Sequence, residues 1–205
     1  MHHPAASTIS STDAGNGILK DTLRRELRAL RRSLEPHRQR QLAHQLAGHL
    51  RARPLVVSAA RIGLYMPNDG EISPLPLLAT LWRAGRTVYL PRVLDNGTLA
   101  FHAYRHGDRL RRGRYGIPEP DRRAPETDPC KLDVVLMPLV AFDRFGTRLG
   151  MGGGYYDRTF RRSHRYCRPV RIGLGFSLQE NEQLPRDPWD RRLDYVVTEK
   201  GWRRC

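Results

Sequence analysis

A chain of 205 residues, 39% hydrophobic and 28% charged, is long enough for one well-buried core and too apolar to be disordered, and no apolar run nears the roughly 20 residues that cross a bilayer. Its 36 basic residues against 21 acidic leave a formal charge of +15, yet apart from Lys20, Lys131 and Lys200 the basic residues are all arginines, scattered in pairs over the whole length. That scatter, with no basic patch interleaved with aromatics, speaks for an arginine-biased composition and against nucleic acid as the main partner.

Residues 1–17 are small and polar without the charged-then-apolar order of a secretory signal, and read as a disordered lead-in to a single domain at 18–205. Residues 21–34 place Leu23, Leu27, Leu30 and Leu34 at spacings of four, three and four, predicting an amphipathic helix capped by Asp21 or Thr22. A second helix should run from Pro36 to about Arg51 on Leu42, Leu46 and Leu50, ending before Pro54. Short apolar runs follow, from Ile62 to Met66, Val88 to Leu90, Leu99 to Tyr104, Val134 to Met137, Ile172 to Phe176 and Tyr195 to Val197. Between the first two, Ser73-Pro74 opens a helix through Leu77, Leu78, Leu81 and Trp82 that Gly85 can close. Strands alternating with helices predict an α/β sheet covered on both faces. The polar connection from Arg105 to Lys131, containing Tyr115-Gly116-Ile117-Pro118-Glu119-Pro120, is long enough to cover a site.

Cys130, Cys167 and Cys205 form no CxxC pair and are odd in number, which speaks against a disulfide framework and a zinc site and for a reducing cytoplasm. His102, His106 and His164 lack metal-ligand spacing and read as surface or core histidines.

The chemistry concentrates between Asp133 and Asp157. A buried strand there runs into a loop with glycines at 150, 152, 153 and 154, and a helix should open through Tyr155, Tyr156 and Phe160. Glycines let backbone approach an anion, and a helix start presents unpaired N–H groups, although such a turn also serves as a plain tight connection. The loop is not a GxxxxGK[ST] loop, because no lysine ends it, so Arg148 must supply the charge. Asp157, close to such an anion, suits a divalent-cation ligand, or else simply favours the first helical turn.

The string Phe142-Asp143 to Gly146, then Arg148-Leu149-Gly150-Met151-Gly152-Gly153-Gly154-Tyr155-Tyr156-Asp157-Arg158, resembles the signature of the 5-formyltetrahydrofolate cyclo-ligase family. Lys20-Asp21-Thr22-Leu23-Arg24, Glu71-Ile72, the Tyr115 to Pro120 segment and Leu193-Asp194-Tyr195-Val196-Val197 follow the family's order, and the resemblance runs from about residue 19 to 200. It implies an open, mostly parallel, Rossmann-like sheet and an ATP-dependent enzyme that closes 5-formyltetrahydrofolate to 5,10-methenyltetrahydrofolate through a phosphorylated formyl group, releasing ADP and phosphate; a monomer is the expectation for its assembly. By the same resemblance Lys20, Asp21, Thr22, Leu23 and Arg24 touch ATP from the first helix. Arg148, Leu149, Gly150, Met151, Gly152, Gly153, Gly154, Tyr155 and Tyr156 wrap its phosphates, with catalysis resting on Arg148 and Lys20. Asp157 and Asp194 hold Mg2+. Met66, Glu71 and Met151 to Tyr155 meet the folate, Glu71 orienting the pterin. Met151 and Gly153 stand where the family's loop can carry a basic residue, which throws more of the phosphate charge onto Lys20, Arg24 and Arg148. Glycine-rich loops on such sheets also hold sugar phosphates or acyl donors, a rival reading that needs no ATP.

Overall fold

The computed structural model describes residues 11–161 and 169–205; the expectations for residues 1–10, His164 and Cys167 lie outside them. Helix α1 spans Ser11–Arg32 and so takes in residues 11–17 of the expected lead-in. The helix therefore begins well ahead of Asp21. The buried stripe of α1 also differs from the predicted one. Leu30 is 45% exposed, while Lys20 and Arg31 are buried in line with Leu23 and Leu27.

Helix α2, Pro36–Arg51, starts on proline and buries Leu42, Leu46 and Leu50 as its spacing requires, and a short α3 follows at Pro54–Val57. Strand β1 is Arg61–Gly63. A 3-10 turn at Leu75–Leu77 then leads into α4, Leu78–Arg83. Strands β2 (Thr87–Val93) and β3 (Leu99–Tyr104) form an antiparallel pair. The long connection is not bare loop. It carries a small hairpin of β4 (Arg111–Arg112) and β5 (Pro118–Glu119), and β6 (Glu126–Thr127) adds to β3. Strand β7 is Val134–Pro138, the hairpin β8 (Ala141–Phe142) and β9 (Arg148–Leu149) stands outside the main sheet, and α5 is Tyr155–Thr159. Strands β10 (Val170–Leu174), β11 (Tyr195–Thr198) and β12 (Gly201–Arg204) complete the described chain.

The main sheet has eight strands in the order β12-β11-β10-β7-β1-β2-β3-β6. Its five central members, β11, β10, β7, β1 and β2, run parallel, and β12, β3 and β6 are antiparallel edges. Side chains of β7 alternate between two cores: Val134 and Leu136 pack with α2, α3 and α4, and Val135 and Met137 with Phe101, Phe142 and Phe160 beside α5. Each such buried side chain stabilises the fold by about 2 kcal/mol. The second core presses on β10 at Gly173, where a Cβ would lie 2.4 Å from Leu193 Cδ1 and 2.9 Å from Leu139 Cδ2.

Helix α1 lies on the outlying hairpin, with Leu23 and Leu27 against Ala141, Leu149 and Leu184. The loops after β1 and β7 and the hairpin therefore meet α1 beyond the carboxyl ends of the parallel strands, the usual position of a site in an open α/β sheet. No helix among the described residues is long and apolar enough to cross a membrane.

Candidate active site

Two cavities share a wall there. The first, of about 390 Å³, is charged, with Lys20 and Arg24 from α1, Arg148 from β9, Arg158 and Arg161 around α5, and the carboxylates of Asp157, Asp187 and Asp190. Lys20 Nζ donates to Asp187 Oδ2 at 2.7 Å and to Asp190 Oδ2 at 2.9 Å. Burial pushes the Lys20 ammonium down in pKa, but those two hydrogen bonds outweigh it, so the group stays charged well beyond neutrality. Arg148 is almost wholly buried, with Nη2 at 3.1 and 3.0 Å from the two carboxylate oxygens of Asp157 and the guanidinium 5.5 Å from the centre of the Tyr156 ring. Its Nε is buried without a partner, a donor that costs about 1–3 kcal/mol until an acceptor meets it. Arg24 donates to Gly150 O at 3.0 Å, fixing the glycine loop to α1.

The loop needs its glycines. Gly154 has φ of 62°, a left-handed conformation that L side chains avoid, and a Cβ there would lie 2.7 Å from Arg158 Nη1. The helix after it is shorter than expected, and the cavity's positive charge comes mainly from side chains.

The second cavity, of about 520 Å³, is mostly apolar and is bounded by Tyr65, Met66, Pro91, Val93, Leu99, Ile117, Tyr155 and Tyr156. Arg148, Gly150, Gly154 and Asp157 line both cavities. Glu71 also lines the second, and burial raises its carboxyl to about 7, against the pull of Arg31 and a 3.1 Å hydrogen bond from Asn68 N–H. Arg31 is fully buried; its Nε donates to Asp69 O and Nη2 to Asp69 Oδ2, both at 2.8 Å, and Nη1 to Leu139 O at 3.2 Å. Arg28 and Arg32 also bind Asp69, whose φ of 53° is the sole left-handed non-glycine among the described residues. Tyr115, on the turn joining β4 and β5, meets Tyr155 hydroxyl to hydroxyl, so the long connection closes one side of this cavity.

The predicted residues sort between these spaces. Lys20, Arg24, Leu149 and Gly152 line the charged cavity, and Met66, Glu71, Met151, Gly153, Tyr155 and Tyr156 the apolar one. Tyr156, expected at the phosphates alone, thus faces the other space, while Tyr155, expected at both ligands, lines the apolar side. Asp21 is exposed and paired with Arg24, Leu23 packs on the hairpin, and neither these nor Thr22 line either cavity. Asp194, expected as a Mg2+ ligand, lies elsewhere: its carboxylate accepts Arg171 N–H at 2.9 Å, at the amino ends of β10 and β11, and it lines neither cavity. Asp187, Asp190 and Arg31 were missed. The signal for the acids was Lys20 itself, since a buried ammonium needs carboxylate partners. His102 is a core histidine, its Nδ1 2.9 Å from Ala124 O, and His106 stacks edgewise on Trp82.

Fold and site together define an open-sheet α/β protein with paired ligand cavities, one charged and one apolar, at the carboxyl ends of its parallel strands. A model of the 5-formyltetrahydrofolate cyclo-ligase family matches residues 17–199. The 5-formyltetrahydrofolate cyclo-ligase of Escherichia coli (strain K12) is 39% identical over 180 residues, covering 86% of this chain and 98% of that one. The protein of the same name from Saccharomyces cerevisiae is 29% identical over 204 residues, covering 89% and 96%. The solved 5,10-methenyltetrahydrofolate synthetase of Aquifex aeolicus superposes with a TM-score of 0.80 at 32% identity, over 91% of this chain and 92% of that one. The chain belongs to the 5-formyltetrahydrofolate cyclo-ligase family and is an enzyme.

Proposed function

We propose that the enzyme converts 5-formyltetrahydrofolate to 5,10-methenyltetrahydrofolate at the expense of ATP, with the triphosphate in the charged cavity and the folate in the apolar one. The observation that carries this reading is the shared wall of Arg148, Gly150, Gly154 and Asp157, across which ligands in the two cavities would meet. An amide-like formyl oxygen is a poor leaving group. Its attack on the γ-phosphoryl group expels ADP and turns that oxygen into a phosphate ester; N10 then adds to the formyl carbon, loses its proton, and inorganic phosphate departs. Such transfer asks a protein mainly for alignment and charge neutralisation. Lys20, Arg24 and Arg148 supply the charge.

The oxygen donors of Asp157 and Asp190 fit a hard divalent cation better than a soft one, and both line the charged cavity. Among the described residues no group of three or more His, Cys, Asp or Glu side chains is set to hold a metal alone, which fits magnesium carried by two carboxylates and phosphate oxygens. Magnesium would there neutralise charge on the phosphates. Glu71 would hold paired N–H groups of the pterin. One chain walls both cavities, in keeping with a monomer.

The test is growth of the methenyl product's absorbance from 5-formyltetrahydrofolate and magnesium, with and without ATP. ATP-dependent growth supports the reading. Growth without ATP, or none with folded protein, overturns it.

A further inference from the structure

We infer that Trp189 is the stacking platform for the base of the bound nucleotide, an inference that rests on the ATP reading above. The segment Asp187-Pro188-Trp189-Asp190 is a tight turn, closed by a 3.1 Å hydrogen bond from Asp190 N–H to Asp187 O. Proline at its second position presets φ for such a turn. Asp190 Oδ2 accepts Asp187 N–H at 2.9 Å, and Lys20 bridges both carboxylates, so the turn is pinned to α1 at its two ends. Trp189, at its tip, has no comparable tie and is 62% exposed, yet it lines the charged cavity. A large aromatic held at the mouth of an anion site by a fixed turn is an arrangement that favours a ligand with a flat face.

Direction follows from chemistry. The γ-phosphoryl group must reach the formyl oxygen through the wall that the two cavities share, so the nucleoside end has to lie elsewhere in the charged cavity. Trp189 lines that cavity and not the apolar one. Base stacking on an aromatic is sequence-tolerant and strong enough to govern nucleotide affinity without touching the reacting atoms.

The other two tryptophans provide an internal control, for Trp82 packs against Tyr104 and Trp202 against Tyr195, outside both cavities. ATP should quench the tryptophan fluorescence of the whole protein, and inorganic tripolyphosphate, which has no base, should not. Trp189→Ala should abolish the quench and raise KM for ATP roughly tenfold with kcat unchanged, and Trp189→Phe should recover most of the affinity. An unchanged KM for ATP in the alanine variant, or equal quenching by tripolyphosphate, would overturn the assignment. Absence of ATP-dependent turnover in the wild-type enzyme would remove the reading beneath it, and the assignment with it, before any variant is compared.

Discussion

Replacing Glu71 by Gln should stabilise the protein, and do so only where the carboxylate would otherwise ionise. The groups facing Glu71 are Arg31 from α1, Asp69 and Asn68 N–H from its own loop, and the hydroxyls of Tyr65 and Tyr156. Burial outweighs Arg31, and the carboxyl rises from 4.5 to about 7. The folded protein therefore keeps a proton that the unfolded chain gives up. Its contribution is full below pH 4.5 and is lost as the pH climbs through about 7. A rise of that size corresponds to about 3 kcal/mol at alkaline pH, and to roughly 2–3 kcal/mol between pH 5 and pH 8. Glutamine carries no such cost and can still accept the Asn68 N–H. Urea unfolding at the two pH values should show Glu71→Gln gaining that amount on the wild type as pH rises, at constant m. A stability difference that does not change with pH would refute the reasoning. Turnover by the same variant should fall, since stability and function oppose each other at a buried binding carboxylate.

Arg31→Met should cost about 1–3 kcal/mol at pH 7 by urea unfolding, because it leaves Asp69 O and Leu139 O without their buried donor while Arg28 and Arg32 still pair with the Asp69 carboxylate; no measurable loss would contradict the role. Asp157→Asn and Asp190→Asn should each raise the magnesium concentration needed for half-maximal rate, and Asp194→Asn should leave it unchanged; equal behaviour of all three in initial-rate titrations would count against the cation site. Gly173→Ala should destabilise by about 1–3 kcal/mol in thermal or urea unfolding, through overpacking against Leu193 and Leu139, and a neutral result would mean that those leucines yield freely.

Period and composition made the sheet and its central strands legible, since runs such as Val134-Val135-Leu136-Met137 have apolar residues for both covered faces. The glycine loop was legible for a related reason: a chain needs four glycines in five residues only where backbone must turn tightly or meet a ligand. The buried stripe of α1 was misread by one residue because 23-27-30-34 and 20-23-27-31 both satisfy the helical repeat. Only tertiary partners decide between them. Arg31 is inside because Asp69 and Leu139 O lie opposite it, and nothing local to residue 31 reports that. Asp190 and Asp194 were inseparable for the same kind of reason. Four residues of extended chain can span about 13 Å, enough to take one carboxylate into the cavity and leave the other at the far end of the sheet. The small hairpins β4–β5 and β8–β9 have two residues per strand, too few for any alternation to register.

The bridge from Lys20 to Asp187 and Asp190 joins residues 167 and 170 positions apart. During synthesis the Lys20 ammonium waits for 167 further residues before its first partner exists and for 170 before its second. The lining of the charged cavity is therefore complete only once the chain has been made past residue 190, later than four of the five central strands, β1, β2, β7 and β10, and just ahead of β11.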